Sequence, residues 1–146
     1  MHPNIVLNWS AILVAMVITF MFGGLWYGPI AGKAWAKAMG MDISKKPEPA
    51  VMKKAFLLQI IGLFLLTYVM AHTVPIWRAS VWGAGEDMPN YTYGFFGGFF
   101  TWLGFYVPMQ LSKVAWEMRP WKIFFINTVH DFINLQIIAQ VLSNWR

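Results

Sequence analysis

The sequence has no cysteine and few charged residues, and each absence excludes a class of protein. Without a cysteine among its 146 residues, the chain has no disulfide, no thiolate metal ligand and no cysteine nucleophile. Only 12% of the residues are charged and 58% are hydrophobic, whereas a soluble domain has about 25% and about 45–50%. The chain therefore has too little polar surface to cover a soluble globule, and its composition is typical of a protein that faces lipid.

Motifs of the common enzyme and nucleotide-binding classes are also missing. The sequence has no phosphate-binding loop, no dinucleotide fingerprint and no nucleophile–base pair. No group of residues has the spacing of a metal site. Although the formal net charge is +5, the positions of the charges matter more than their sum. We therefore predict no metal, no cofactor and no nucleic-acid partner.

What the sequence does have is four stretches long enough to cross a bilayer, which takes about 20 apolar residues. They cover residues 5–27, 55–74, 92–112 and 123–142. No Lys, Arg, Asp or Glu precedes Lys33, and the first stretch lacks the basic start and the cleavage site of a signal peptide. The sequence thus predicts a single all-α membrane domain over residues 1–146, an integral membrane bundle of four transmembrane helices.

The basic residues predict the orientation of these helices. Six lie between the first and second stretches and three between the third and fourth, which makes nine of the eleven Lys and Arg residues. Only Arg78 and Arg146 lie elsewhere. Because cytoplasmic loops retain positive charge, we expect a multi-pass protein of the bacterial inner membrane with both termini outside the cytoplasm. The tryptophans favour the same model, since only Trp102 lies clearly in mid-span and indoles prefer the interfaces.

A short amphipathic helix is predicted after the first span, over residues 30–41. Lys33 and Lys37 lie one turn apart on one face, and Trp35 lies with small apolar residues on the other. This pattern is typical of a helix in the membrane interface whose lysines contact lipid headgroups; a plain cytoplasmic helical turn is the alternative. A polar linker follows over residues 42–49, in which Pro47 and Pro49 are expected to stop helix.

The fourth span has a polar face within its apolar sequence. At 100° per residue, one face contains Asn127, His130, Asp131 and Asn134. A carboxylate inside a span costs about 2.5–3.5 kcal/mol by insertion measurements, so it must face protein or water. Asp131 therefore marks either a site that handles protons or ions, or a hydrogen-bonded cluster that fixes helix packing. The sequence leaves both interpretations open.

Helix geometry indicates which residues of other spans reach Asp131. At about 1.5 Å per residue, Thr19 and Tyr106 lie near its depth in the bundle. His72 lies near the outer end of the second span, roughly 10–15 Å from that level. A metal or haem site shared by His72 and His130 is therefore not expected. We interpret His72 as a packing residue.

Small residues predict where helices approach closely. Gly94 and Gly98 form a small-xxx-small pair on the third span, and we assign Gly104 on the same span to helix packing as well. Pro108 should kink this span near its inner end.

The two halves of the chain share a weak internal repeat. Residues 22–24 and 96–98 both read Phe-Gly-Gly, and Trp, Pro, Lys and Trp follow each in that order at different spacings. The repeat suggests a parallel duplication of a two-helix hairpin.

Short motifs spread over nearly the whole chain carry a family resemblance. They are Asn8-Trp9, Leu25-Trp26-Tyr27-Gly28-Pro29, Gly32-Lys33-Ala34-Trp35, Met70-Ala71-His72, Trp102-Leu103-Gly104-Phe105, Arg119-Pro120-Trp121-Lys122 and Phe125-Ile126-Asn127. Together they resemble the bacterial membrane family known as domain of unknown function 1761. The resemblance implies a four-helix integral membrane protein. It brings no activity with it and assigns no role to His130 and Asp131.

Three functions compete for such a chain. The preferred one is a structural or accessory subunit of a homo- or hetero-oligomeric membrane assembly, because apolar and aromatic faces are many and no catalytic set is present. The first alternative is a small oligomeric transporter or channel for protons, ions or small solutes, which would use the polar face of the fourth span. The second alternative is a membrane-embedded enzyme or cofactor binder. The expected partners are the lipid bilayer and other membrane subunits or copies of the chain.

Overall fold

Helices account for every regular element between residues 2 and 145, the range that the computed structural model describes. The α-helices are α1 (Trp9–Leu25), α2 (Gly32–Ala38), α3 (Pro49–Thr73), α4 (Asn90–Thr101), α5 (Val107–Trp116) and α6 (Trp121–Asn144). A first π segment (Trp26–Ile30) follows α1, and a second π segment (Trp102–Tyr106) joins α4 to α5. Two 3-10 turns, Pro75–Trp77 and Ser80–Trp82, lie between α3 and α4. The predicted all-α class is confirmed.

Two helical stretches are long and apolar enough to cross a membrane. They run over Trp9–Ile30, with 22 residues, and Pro49–Trp77, with 29 residues. In the most apolar stretch of each, only 22% of the residues are buried within the chain. A helix that is apolar on every side and covered on so few needs contact with something outside the chain. The other two predicted spans, in α4–α5 and in α6, are less apolar because of their glycines and polar residues.

The helix boundaries differ from the predicted spans where caps and prolines set them. α1 begins at Trp9 rather than at residue 5, because the Asn8 side chain caps it by accepting a hydrogen bond from the Ala11 N–H at 3.0 Å. α3 begins at Pro49, earlier than predicted. A proline at the first helical position has a favourable φ and lacks only an N–H that would have no partner there. The linker up to residue 48 is non-helical as predicted, and only Pro49 differs, since it starts a helix.

Contacts among the loops and terminal segments define two ends of the molecule. At one end, the Asn4 N–H donates to the Val81 carbonyl at 3.1 Å, and Trp145 lines a cavity with the same N-terminal segment. At the other end, the Arg119 guanidinium of the α5–α6 loop donates to the Met39 sulfur at 3.1 Å. The helices α1, α3, α4–α5 and α6 therefore run alternately between these two ends.

The buried core is concentrated toward the end that holds the two termini. α6 contacts each of the other five helices and lies at the centre of the molecule. The core consists of Ala11, Ile12 and Ala15 of α1, Met70 and Ala71 of α3, Val74, Tyr93 of α4, and Leu135, Ile138, Ala139 and Leu142 of α6. In contrast, residues 49–62 of α3 are all exposed. The bundle is thus closed at one end and open along α3 at the other.

α4 and α6 form an especially close helix pair. A Cβ added to Gly94 would lie 2.5 Å from the Ser143 Oγ, and one added to Gly98 would lie 2.7 Å from the Gln136 Nε2. The side-chain amides of Gln136 and Gln140 donate to backbone carbonyls of α4 at 3.1 and 3.0 Å. The glycines of α4 therefore leave room for the two glutamines of α6. The side chains of these glutamines form hydrogen bonds with the backbone of α4.

Candidate functional site

The first π segment turns α1 into α2. Pro29 has no N–H and cannot continue an α-helix, so the Ala31 N–H bonds the Trp26 carbonyl five residues back, at 2.7 Å. A Cβ added to Gly32 would collide with the Tyr27 carbonyl. The turn therefore requires glycine at that position.

α2 begins after this turn and is shorter than the predicted helix over residues 30–41. Lys33 and Lys37 are exposed. The Trp35 ring packs edge-on against the Tyr27 ring with centroids 5.6 Å apart, and α2 also contacts α6. α2 is therefore held against the bundle with its lysines outward.

The second π segment has the same cause. The Val107 N–H bonds the Trp102 carbonyl five residues back, because Pro108 interrupts the helical ladder next to it. The kink predicted near Pro108 thus lies on its N-terminal side. Gly104 lies within this segment, and a Cβ added there would have no described atom within 4 Å. The structure therefore does not place Gly104 at a helix contact within the chain, unlike Gly94 and Gly98.

A chain of polar side chains connects the first π segment, α5 and α6. The Tyr27 hydroxyl donates to Asn127 Oδ1 at 2.9 Å, and Asn127 Nδ2 donates to Gln110 Oε1 at 3.5 Å. Gln110 Nε2 donates to Asp131 Oδ2 at 3.1 Å. His130 Nδ1 lies 3.1 Å from Asp131 Oδ1. We call these five residues the polar cluster.

The imidazole of His130 is enclosed by aromatic rings of α1 and the first π segment. Its ring lies parallel to that of Phe22 with centroids 5.4 Å apart, and 4.8 Å from that of Tyr27. The side chains of His130 and Asp131 are 12% and 13% exposed. When Nδ1 donates to the carboxylate, Nε2 of the neutral ring is an acceptor. Nε2 is buried without a partner among the described residues.

A cavity of about 600 Å³ lies between α1, α3, α6 and the second π segment. Its polar wall contains His130, Asp131 and Asn134, and both π segments contribute a tyrosine to it, Tyr27 and Tyr106. Asn134 is 7% exposed, and its Oδ1 has no hydrogen-bond partner within the described part of the chain. On the α3 side the wall consists of residues of the exposed stretch 49–62, followed by two leucines. The cavity therefore opens to the outside along that half of α3.

Of the residues predicted around Asp131, the structure brings all but one to the cluster or the cavity. Asn127 and His130 are in the polar cluster, and Asn134 and Tyr106 line the cavity. Thr19 is not in the cluster. Its hydroxyl donates to carbonyls of its own helix at 2.7 and 3.1 Å, which is the usual bond of a threonine inside a helix.

Gln110 and Tyr27 are the members of the polar cluster that the sequence analysis missed. Gln110 follows Pro108 by two residues, so a polar side chain next to a proline within an apolar span was a usable signal. Tyr27 gave no such signal, because a tyrosine at the end of a span is typical of a membrane interface.

His72 contacts its own helix rather than the polar cluster. Its Nδ1 lies 2.9 Å from the Tyr68 carbonyl, one turn back on α3, and its ring meets the Tyr68 ring at 4.7 Å. Within residues 2–145, no three potential metal-ligating side chains come together. These contacts are those of a packing residue.

Arg78 is buried at the end of the molecule that contains the termini. The sequence indicated only its charge and not its burial or its partners. Arg78 is 1% exposed and lies 3.5 Å from Asp87 Oδ2. Its guanidinium donates to Asn90 Oδ1 at 2.9 Å and to the Ser143 carbonyl at 2.7 Å, and it lies 4.4 Å from the centre of the Tyr93 ring. One buried arginine thus connects the α3–α4 loop, α4 and α6.

Fold and site together define a class: an all-α chain whose central helix presents a buried carboxylate–histidine pair to a cavity flanked by two π segments. Residues 10–143 match the family model described as protein of unknown function (DUF1761), and the chain belongs to that family. The resemblance seen in the sequence motifs is thereby confirmed. No curated protein and no solved structure shows a significant match.

Proposed function

We propose that the chain is an integral membrane protein in which α1, α3, α4–α5 and α6 are four transmembrane helices. Support comes from the two long apolar helices, from their low burial, and from the alternating course of the four elements. The contact between Arg119 and Met39 joins the two basic loops at one end. In a bacterial inner membrane that end would face the cytoplasm, with both termini outside. Lys33 and Lys37 would then point toward headgroups, with Trp35 at the interface.

We infer that this membrane protein is a small transporter or channel for protons, ions or small solutes. The observation that carries the proposal is the Asp131–His130 pair in the wall of the 600 Å³ cavity. Ionisable residues within membrane helices mark substrate and ion pathways. A cluster that only fixed packing would be enclosed by its neighbouring helices, whereas this one borders open space along α3.

The two π segments support the same proposal. Irregular backbone at membrane depth is tolerated where it lines a cavity, because water or protein must satisfy the freed backbone groups. Interrupted helices at corresponding positions of two halves of a transporter are a pointer to its binding site. Here each interruption follows a Phe-Gly-Gly motif, begins with Trp and places one tyrosine, Tyr27 or Tyr106, on the cavity wall.

Reconstituted vesicles with a pH-sensitive dye inside test this proposal. With an imposed pH gradient, we expect the wild-type protein to dissipate the gradient faster than empty vesicles. Asp131→Asn should fold but lose this flux, because the amide keeps hydrogen bonding and cannot titrate. The matched control is Glu86→Gln, an acid-to-amide change in the exposed α3–α4 loop. Equal rates for wild type and empty vesicles over a range of added solutes would overturn the proposal.

A structural or accessory subunit, which the sequence favoured, is the second candidate. It is favoured by the exposed half of α3, residues 49–62, which is apolar over most of its surface. Lipid, a second copy or another membrane protein would cover this surface equally well. Disulfide cross-linking of Leu58→Cys in native membranes separates these: a cross-linked dimer indicates an oligomer, and a cross-link to another chain indicates an assembly. No contact within residues 2–145 specifically favours the third candidate, an enzyme or cofactor binder.

A further inference from the structure

We propose that the cavity binds a monovalent organic cation, a protonated amine on a small apolar body, with Asp131 as its counter-ion. This inference rests on the proposed binding site and names its substrate class. Three properties of the cavity carry it: the sign of its charge, its unpaired acceptors and its aromatic walls.

Among residues 2–145, the cavity wall has one carboxylate and no lysine or arginine. Between Lys54 and Lys113 the only lysine or arginine is Arg78, which is bonded to the Ser143 carbonyl in the closed end of the bundle. The remaining cationic candidate is His130, whose Nδ1 faces Asp131. A nearly buried carboxylate is stabilised by a counter-charge, and the neutral amide of Gln110 on its other oxygen supplies none. The site therefore favours a cation over a neutral molecule or an anion.

Two buried atoms without partners favour a ligand that donates hydrogen bonds, since Asn134 Oδ1 is an acceptor and His130 Nε2 is one when the ring proton is on Nδ1. Asn134 Oδ1 and His130 Nε2 belong to residues of the cavity wall and have no partner among the described residues. An unpaired buried acceptor costs about 1–3 kcal/mol, so a ligand that supplies N–H donors gains that free energy. A calcium ion would instead need six to eight oxygen ligands. The wall around Asp131 does not bring a second carboxylate to it.

The walls suit an apolar body attached to the ammonium group. The aromatic residues on the wall are Phe20, Tyr27, Phe56 and Tyr106, from α1, both π segments and α3. Aromatic faces attract cations within about 6 Å of the ring centre. The volume of about 600 Å³ lies in the usual range of small-molecule sites, about 300–1,000 Å³. A bare inorganic ion would leave most of this space empty.

Equilibrium binding to the protein in lipid nanodiscs tests the inference with three matched probes. 2-Phenylethylamine is the cation, 2-phenylethanol the neutral analogue of the same shape, and phenylacetate the anion; empty nanodiscs correct for partition into lipid. We expect the amine to bind at least about tenfold more tightly than the alcohol, as for removal of a charged hydrogen-bond partner. Asp131→Asn should weaken amine binding until the amine and the alcohol bind equally tightly.

Control variants keep the test decisive. Asp131→Glu retains the charge and should keep the amine preference, which covers the case in which Asp131→Asn does not fold. Asn134→Leu should weaken amine binding several-fold, and Glu86→Gln should not change it.

Equal binding of amine and alcohol, or preference for phenylacetate, would overturn the cation inference while leaving the binding site in place. Binding of none of the three would overturn the inference. Asp131-dependent amine binding without any flux would support the inference and overturn transport.

Discussion

Asp131 is held between two partners from different parts of the chain. Gln110 of α5 donates to one carboxylate oxygen, and His130 lies against the other. Each oxygen thus has a partner within the protein, while the residue still borders the cavity. A carboxylate held in this way is fixed in position and open to a ligand on one side.

At the residue scale, the sequence predicted which residues of α6 lie beside Asp131, but it predicted few of the residues that neighbouring elements contribute. The polar face of α6 follows from the period of one helix, so Asn127 and His130 could be placed beside Asp131. Gln110 could not be placed beside Asp131, because Pro108 marks the position of the π segment but does not give the rotation of α5 relative to α6. The depth count that selected Thr19 assumed only distance along the helix and had no information on which way its hydroxyl points.

Replacement of Gln110 tests the role of this residue. Gln110→Leu leaves one oxygen of Asp131 without a donor and Asn127 Nδ2 without its acceptor. We expect a loss of about 1–3 kcal/mol in stability, measured by thermal unfolding in mild detergent. Gln59→Leu is the matched control, since Gln59 lines the same cavity from the exposed half of α3. Equal unfolding temperatures for both variants would contradict the role given to Gln110.

At the scale of the elements, prolines and glycines decide where the helices end and touch. The four apolar stretches of the sequence correspond to α1, α3, α4–α5 and α6, because about 20 apolar residues in a row leave few alternatives to a helix. Their boundaries depend on local chemistry that hydropathy does not report, as with the cap at Asn8 and the proline start of α3. The π segments also lie outside what hydropathy predicts, although Pro29 and Pro108 mark both positions.

The contact between α4 and α6 gives a prediction with an internal control. In Gly98→Leu, the new Cβ would lie 2.7 Å from Gln136 Nε2 and 3.1 Å from the Leu135 carbonyl. Because the backbone carbonyl cannot move aside cheaply, we expect a loss of about 1–3 kcal/mol, typical of overpacking. Gly104→Leu, on the same span with open space around it, should leave the unfolding temperature unchanged. A similar loss in both variants would indicate that glycine matters here through the backbone alone.

At the scale of the whole molecule, the distribution of basic residues and the contacts between loops group the same two loops at one end. Charge alone placed the loop after α1 and the loop before α6 on the same side, and the contact between Met39 and Arg119 joins those two loops. The opposite end joins the N-terminal segment to Val81. Counts of charges were enough to group these two loops, while their side of a membrane stays a prediction. The sequence could not predict the cavity, which depends on how far α3 diverges from α1.

Single cysteines in a chain that has none test the proposed orientation. Ile43→Cys and Ala84→Cys place a thiol at exposed positions in the loops at opposite ends. They avoid Ser44 and Ser80, whose side chains bond Asp42 and Asp87. A membrane-impermeant maleimide added to intact cells should label position 84 and spare position 43. The reverse pattern would contradict the orientation with both termini outside.

The most direct test of the central claim, a water-accessible cavity at membrane depth beside Asp131, compares two adjacent cysteines on α3. Gly62 lines the cavity and has no described atom within 4 Å of an added Cβ, whereas Ile61 is 47% exposed and does not line it. The two positions differ in depth by only about 1.5 Å. In inside-out vesicles, a small charged thiol reagent should modify Gly62→Cys quickly and leave Ile61→Cys unmodified. No modification at either position, or equal rates at both, would contradict the account.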